Sequence, residues 1–319
     1  MMRCGWMVLL LLAAPAVFAQ GYPTKPIRVV LSSPPGSAAD IVARTVTNKL
    51  VERWGQQMVV DARPGGSGII AAEIVARAVP NGYTLLVPSS GSHGVNPGLH
   101  PKLSYDAVRD FAHVTLLVRM PLVLALNPSV PARNVKELIA LARAKPGQLN
   151  FASSGTGTTT HLAGELLKSM AGIEFLHVPY KGSQPALLET ISGQASMNIA
   201  PILTALPHAK AGRLRAIAMT TPARSAIAPE VPTISEAGVP GYDATLWFGL
   251  SAPAGTPRVI IDSLNREVTA ILKLSDVRDS LQQQGADAAG GSAEEFTAYV
   301  ASEVAKWAKV VKLSGARPE

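Results

Sequence analysis

Ile27-Arg28-Val29-Val30-Leu31-Ser32-Ser33-Pro34-Pro35-Gly36-Ser37-Ala38-Ala39-Asp40 is the stretch whose reading decides the fold. Its first five residues, mostly β-branched, read as a strand. The Ser-Pro-Gly segment then turns the chain, and Ser37 with Asp40 three positions on marks a helix start. Val42, Val46, Leu50 and Trp54 recur every fourth residue and give that helix one apolar face. Outward from there, Gln57 to Asp61 reads as a second strand, Pro64-Gly65-Gly66-Ser67-Gly68 as a turn opening a second helix, and Thr84 to Val87 as a third strand. The order βαβαβ implies a parallel sheet with helices on its faces.

A second series follows. Leu149 to Ala152 reads as a strand, a helix begins near Thr160, and Glu174 to Val178 is the next strand. A helix from about Ser183, a strand at Ser196 to Ile199, another helix and a strand at Leu214 to Met219 complete it. Two α/β lobes are expected. From Pro257 to Val311 the pattern is helical, with Ile260, Leu264, Val268 and Leu272 on one face and Phe296, Val300, Val304 and Trp307 on another. This tail is expected to pack back on the first lobe. The boundaries are then 20–121 with 247–319 for lobe 1, and 122–246 for lobe 2.

At the N-terminus, Arg3 precedes an apolar run from Trp6 to Ala14, and Val17-Phe18-Ala19 fits a signal-peptidase site, so residues 1–19 read as a cleavable signal peptide. The run is too short to span a membrane. The expected compartment is the periplasm. Cleavage removes Cys4, the sole cysteine of 319 residues, and with it any thiol nucleophile or cysteine metal site. The chain carries 29 Lys and Arg against 22 Asp and Glu, a formal charge of +7. These cations are scattered, aromatics are 5% of the chain, and no basic run appears, which argues against nucleic acid as a partner. A positive field that draws in acidic solutes is the better account.

Turns at strand ends aim free amides and hydroxyls into one crevice, a receptor for an anion. The first-lobe candidates are Ser33, Gly36, Ser37 and Asp40, with Ser89 after the third strand. In the second lobe they are Ser153, Gly155, Thr156, Gly157 and Thr158, with His161, Lys181 and Ala200. Each has a structural alternative. Ser37 and Asp40 fit a capping box. The hydroxyls of Ser153 and Thr158 could cap the following helix. His161 stands one helical turn before Glu165, a metal-like spacing with no third ligand, so a structural hydrogen-bonding histidine is favoured. Lys181 could neutralise a carboxylate or sit in solvent. Trp247 and Phe248 fit core or hinge packing. No metal and no cofactor are expected.

A set of spaced motifs then carries a resemblance. Tyr22-Pro23-Thr24-Lys25-Pro26-Ile27, Arg63-Pro64-Gly65, Asn81-Gly82-Tyr83-Thr84, Ser153-x-Gly155-x-Gly157-Thr158-x-x-His161, His177-Val178-Pro179-Tyr180-Lys181-Gly182 and Ala252-Pro253-Ala254-Gly255-Thr256-Pro257 fall in one family's order. The chain resembles the Bug-type (Bordetella uptake gene) periplasmic solute-binding proteins of tripartite tricarboxylate transporters, over essentially the whole mature length. The resemblance implies a two-lobed type II periplasmic binding fold, two hinge crossings and a carboxylate-bearing solute in the cleft. It also implies a membrane permease or a sensor as partner; a monomer is expected. Ser37 stands where the family usually has a second glycine, and Ser32-Ser33-Pro34-Pro35 also departs from its pattern, so solute identity does not carry over.

Two other classes compete. A serine hydrolase would need Ser153, His161 and Asp40 within hydrogen-bond reach, yet no Gly-x-Ser-x-Gly elbow, His-Glu-x-x-His or Gly-x-x-x-x-Gly-Lys is present. The sensing domain of a transcription regulator shares the fold, but there are no N-terminal DNA-reading helices and the leader points outward.

Overall fold

The computed structural model describes residues 21–317; the signal-peptide reading and Cys4 fall outside them. The first half-lobe runs β1 (Ile27–Leu31), α1 (Ala38–Trp54), β2 (Met58–Ala62), α2 (Ile69–Ala76) and β3 (Thr84–Val87). A π-helical turn at Ser90–Val95, α3 (Asn96–Leu99) and β4 (Phe111–Met120) follow. The second lobe comprises β5 (Leu122–Leu126), α4 (Val135–Ala144), β6 (Asn150–Ser153), α5 (Thr159–Ala171) and β7 (Leu176–Pro179). It continues through α6 (Ser183–Ser192), β8 (Met197–Pro201), α7 (Ile202–Lys210) and β9 (Arg215–Met219). The chain then returns as β10 (Leu246–Pro253), α8 (Arg258–Ile271), α9 (Ser275–Gln283), β11 (Asp287–Gly290) and α10 (Ala293–Ser314).

Two sheets result, ordered β11-β4-β10-β3-β1-β2 and β7-β6-β8-β5-β9. In each, the strands of the βαβ units are parallel: β1 pairs with β2 and β3, and β6 with β7 and β8. The rest of each sheet is antiparallel. The all-parallel expectation therefore holds only for the βαβ cores. β10 re-enters the first sheet from the hinge side and so runs against β3 and β4. The chain crosses between the sheets at Pro121 and again through the segment leading to Leu246, which pairs with Met120.

The C-terminal third differs from the sequence reading in two ways. It is not wholly helical, because β11 adds an edge strand to β4. And α10 does more than return to the first lobe: Phe296 and Val300 pack with Trp247 and Leu116, whereas Trp307, Val310 and Val311 join the buried cluster of Leu124, Phe151 and Leu162 in the second. Burying both ends of its apolar stripe makes α10 a strap across the two lobes.

Candidate ligand-binding cleft

In the first lobe the site begins where β1 ends. The chain turns at Gly36, and Ser37 caps α1 by accepting from the Asp40 amide at 3.3 Å. The buried Asp40 carboxylate closes the loop: its Oδ2 accepts from the Gly36 amide at 2.9 Å, and Arg44 Nε reaches both oxygens at 3.0 Å. Burial alone would push this carboxyl up, but the Arg44 hydrogen bond, the Gly36 amide and the Arg44 charge together hold it below the usual range. After β3, Ser89 and Ser92 cap each other across the π-helical turn, the Ser92 amide donating to Ser89 Oγ at 3.2 Å and the Ser89 amide to Ser92 Oγ at 3.1 Å. Such turns mark functional sites more often than plain helix does.

The second lobe answers with the loop between β6 and α5. Ser153 is fully buried, and its hydroxyl meets His177 Nε2 at 2.6 Å and the Gly155 amide at 3.2 Å. The Ser154 amide donates to Thr160 Oγ1 at 3.0 Å. Thr158 donates its hydroxyl to the Gly155 carbonyl at 2.7 Å and accepts from the His161 amide at 3.3 Å. His161 Nδ1 accepts from the Gly157 amide at 3.0 Å, which assigns the neutral ring's proton to Nε2. The His161 and His177 rings stack with centroids 3.8 Å apart. Burial is the main cause that lowers both, His161 to about 3 and His177 to about 4; the charge of Lys168 works the same way on each, and the His177 neighbour adds to it at His161. Two uncharged imidazoles thus brace this loop.

The turn after β3 meets the β6–α5 loop. Ser90 Oγ lies 3.3 Å from Thr159 Oγ1 across the lobes, and Leu99 packs on the backbone of Gly157. The leading amides of a helix have no intrahelical acceptor, and those of Ala38 and Ala39 in α1 and of Thr159 and Thr160 in α5 find none elsewhere among the described residues.

Ser33, Gly36, Ser37, Asp40 and Ser89 lie at strand ends of the first sheet. Ser153 through Thr158 follow β6 in the second lobe, with Ser153 and His161 buried and spent on the loop's own hydrogen bonds. Lys181 is exposed on the turn after β7 and has no ion-pair partner among the described residues. Ala200 is fully buried with Val123 and Ala205, so its side chain serves the core and not the cleft. The sequence reading has Ser90, with Ser89 and Ser92, as a switch-point candidate against a solvated loop; His177, Ser154 and Thr160 are not among its site residues. Phe151 is the register partner of His177 in the β6–β7 pair, which sets His177 diagonal to Ser153.

Ser153, His161 and Asp40 do not assemble as a hydrolytic triad. Ser153 pairs with His177 and not His161, its hydroxyl is shut away from solvent, and Asp40 belongs to the other lobe's loop with Arg44. Glu165, the residue spaced for a metal with His161, is held by Lys168 at 3.1 Å. Among the described residues no three His, Cys, Asp or Glu side chains cluster as a metal site would require.

A two-lobed α/β molecule with amide-rich loops at its strand ends has the build of a solute-binding receptor. Residues 42–316 match the family described as the tripartite tricarboxylate transporter family receptor, and the chain belongs to that family. It is 35% identical to the protein BugT of Bordetella pertussis over 307 residues, 96% of this chain and 94% of the relative. Among solved structures it is similar to R. palustris Rpa4515 with adipate, at 38% identity and TM-score 0.78 over 93% of this chain and all of that one. It is also similar to MatC from Rhodopseudomonas palustris with bound malate, at 33% identity and TM-score 0.74, covering 91% of this chain and all of that one. No described helix is long and apolar enough to cross a membrane.

Proposed function

We propose that this receptor captures a small dicarboxylate of the adipate or malate kind in the periplasm, closes its lobes on it, and hands it unchanged to a membrane permease or a sensor. The observation that carries this reading is the start of α5, whose Thr159 and Thr160 amides are unspent and which the first lobe meets at Ser90. One solute carboxylate sits at the start of α5, which offers the Thr159 and Thr160 amides and has no acidic residue in its first turn. α1 is the poorer anion seat because Asp40 already occupies its first turn. The remainder of the solute reaches toward the hydroxyls of Ser37, Ser89 and Ser90. Residues 1–19 are removed on export, and the mature chain begins at or next to Gln20.

Native mass spectrometry on freshly purified protein tests this directly. A tight solute co-purifies as an added mass of a small dicarboxylic acid, and adipate or malate at a hundredfold excess over Kd stabilises the fold by about 2.7 kcal/mol in a thermal melt. No added mass and no shift with either acid would overturn the solute class; turnover of the bound acid above a Ser153→Ala control would overturn binding without catalysis.

A further inference from the structure

Glu303, in the middle of α10, is 2% exposed. A carboxylate so buried persists only if its partners compensate it. Trp247 Nε1–H donates to Oε2 at 2.9 Å, Trp307 Nε1–H donates to the same atom at 3.0 Å, and the Lys306 ammonium pairs with Oε1. Lys306 also donates to the main-chain oxygen of Asp243 at 3.0 Å.

These partners straddle the hinge. Trp247 is the second residue of β10, on the first-lobe bank of the return crossing. Asp243 lies on the other bank, next to Tyr242, whose hydroxyl is tied to the Ala163 carbonyl of α5 at 2.8 Å. The first crossing runs alongside, joined to the second through Thr220, which accepts from the Leu122 amide at 3.2 Å and donates to the Ala244 carbonyl at 3.0 Å. One turn of α10 therefore grips both banks. The same turn reaches toward the cleft: Trp307 lies so close to Gly94 of the π-helical turn that a Cβ there would stand 2.9 Å from the ring. A rotation that moves the two banks apart pulls on the Trp247–Glu303 bond and on the Lys306–Asp243 bond; the buried indole has less slack than the flexible lysine stem.

We propose that Glu303 is a positioning residue for solute capture: with Lys306 it latches the hinge and sets how far apart the lobes stand before any solute arrives. The proposal rests on the closure reading above, but its test does not need a solute.

Spin labels on cysteines replacing Glu52 in α1 and Ser192 in α6, in the exported product of the full chain, report the inter-lobe distance by pulsed electron paramagnetic resonance. In the ligand-free protein, Glu303→Gln shifts the mean or broadens the distribution about twofold, because the gap between open and closed states is only a few kcal/mol. Trp247→Phe, which keeps a six-membered aromatic ring at this buried position but removes the pyrrole half of the indole with its N–H, moves it the same way by less. Adipate then narrows the parent distribution. Ligand-free distributions of both variants that superimpose on the parent, with only the melting temperature lowered, would overturn the latch; if Glu303→Gln does not fold, Trp247→Phe alone decides. A parent that ignores both adipate and malate counts against the solute reading and leaves the ligand-free comparison to decide the latch.

Discussion

The two cleft loops use one device in opposite electrical states. Each follows a strand, bends through glycine and opens a helix whose first amides are free. On the first lobe that positive end faces an ionised carboxylate, Asp40, itself backed by Arg44. On the second it faces hydroxyls and two neutral imidazoles. A helix end that already holds a carboxylate is a rigid wall; one braced only by neutral groups keeps its field for a visitor. On the proposed function, this asymmetry predicts charge recognition from the second lobe and shape from the first.

Acid breaks this comparison with the largest effect. His161 and His177 have folded-state values near 3 and 4 against an ordinary 6.5, so the unfolded chain binds more protons between those limits. Their stabilisation is present above about pH 6.5 and is lost as pH falls toward the folded values, at about 1.4 kcal/mol per pH unit for each proton. Asp40 is also depressed, from 3.8, so its contribution survives until pH drops below that. Buried His93 and His113 of the first lobe are lowered as well, chiefly by burial, so melting followed from about pH 7 to about pH 4 should decline well before carboxylates titrate, and a His177→Asn variant should remove only its own share of the decline. A melt flat down to about pH 4 would contradict neutral buried rings.

The same substitution placed in each loop is the next strongest probe. Gly157 has φ +75°, and a Cβ there would lie 2.6 Å from Leu99 Cδ2; Gly36 has φ +80° and open space around it. An alanine at Gly36 meets only backbone strain, about 1–2 kcal/mol. At Gly157 it adds the displacement of Leu99, a further 1–3 kcal/mol or so, and pushes the lobes apart. Thermal melts should rank Gly157→Ala below Gly36→Ala, with dicarboxylate affinity lost mainly in the former. Equal losses would mean the lobes do not meet through Leu99.

Much of this was legible in the chain. Ile27–Leu31 and Thr84–Val87 match the structure residue for residue, because β-branched runs bounded by turn residues need little help from their surroundings. The Ser37 cap was equally plain. β11 was not: Asp287-Ala288-Ala289-Gly290 has no β-branched residue and is a strand only because β4 offers it an edge. Nor could one sequence show that Glu303 lies between Trp247 and Trp307, since 56 residues separate the first pair. The cleft was visible as two loops; the contact of Ser90 with Thr159 and the His177 brace belong to tertiary structure alone.

Asp40→Asn sharpens the electrical contrast. Asn keeps an oxygen for the Gly36 amide, and the lost pairing with half-exposed Arg44 is worth less than about 1 kcal/mol. With the solute carboxylate seated at α5, dicarboxylate affinity measured by calorimetry should change by less than about threefold. Seated at α1 instead, it would lose a like-charge neighbour and affinity would rise about tenfold or more.

Thr158→Ala carries the smallest expected effect and separates the two uses of a hydroxyl at a helix start. A hydroxyl that holds a charged solute is worth about 1.5–3 kcal/mol of binding, whereas a helix cap is worth about 1 kcal/mol of folding and nothing to affinity. Thr158 Oγ1 has its proton on the Gly155 carbonyl at 2.7 Å, accepts from the His161 amide, and lies within 3.2 Å of Ser154 Oγ. That leaves no donor for a carboxylate. The variant should melt lower without solute and bind adipate as tightly as its parent, since the Thr159 and Thr160 amides remain. A Kd weakened tenfold with an unchanged ligand-free melt would instead put this hydroxyl on the solute, and would mean that the loop rearranges when the lobes close.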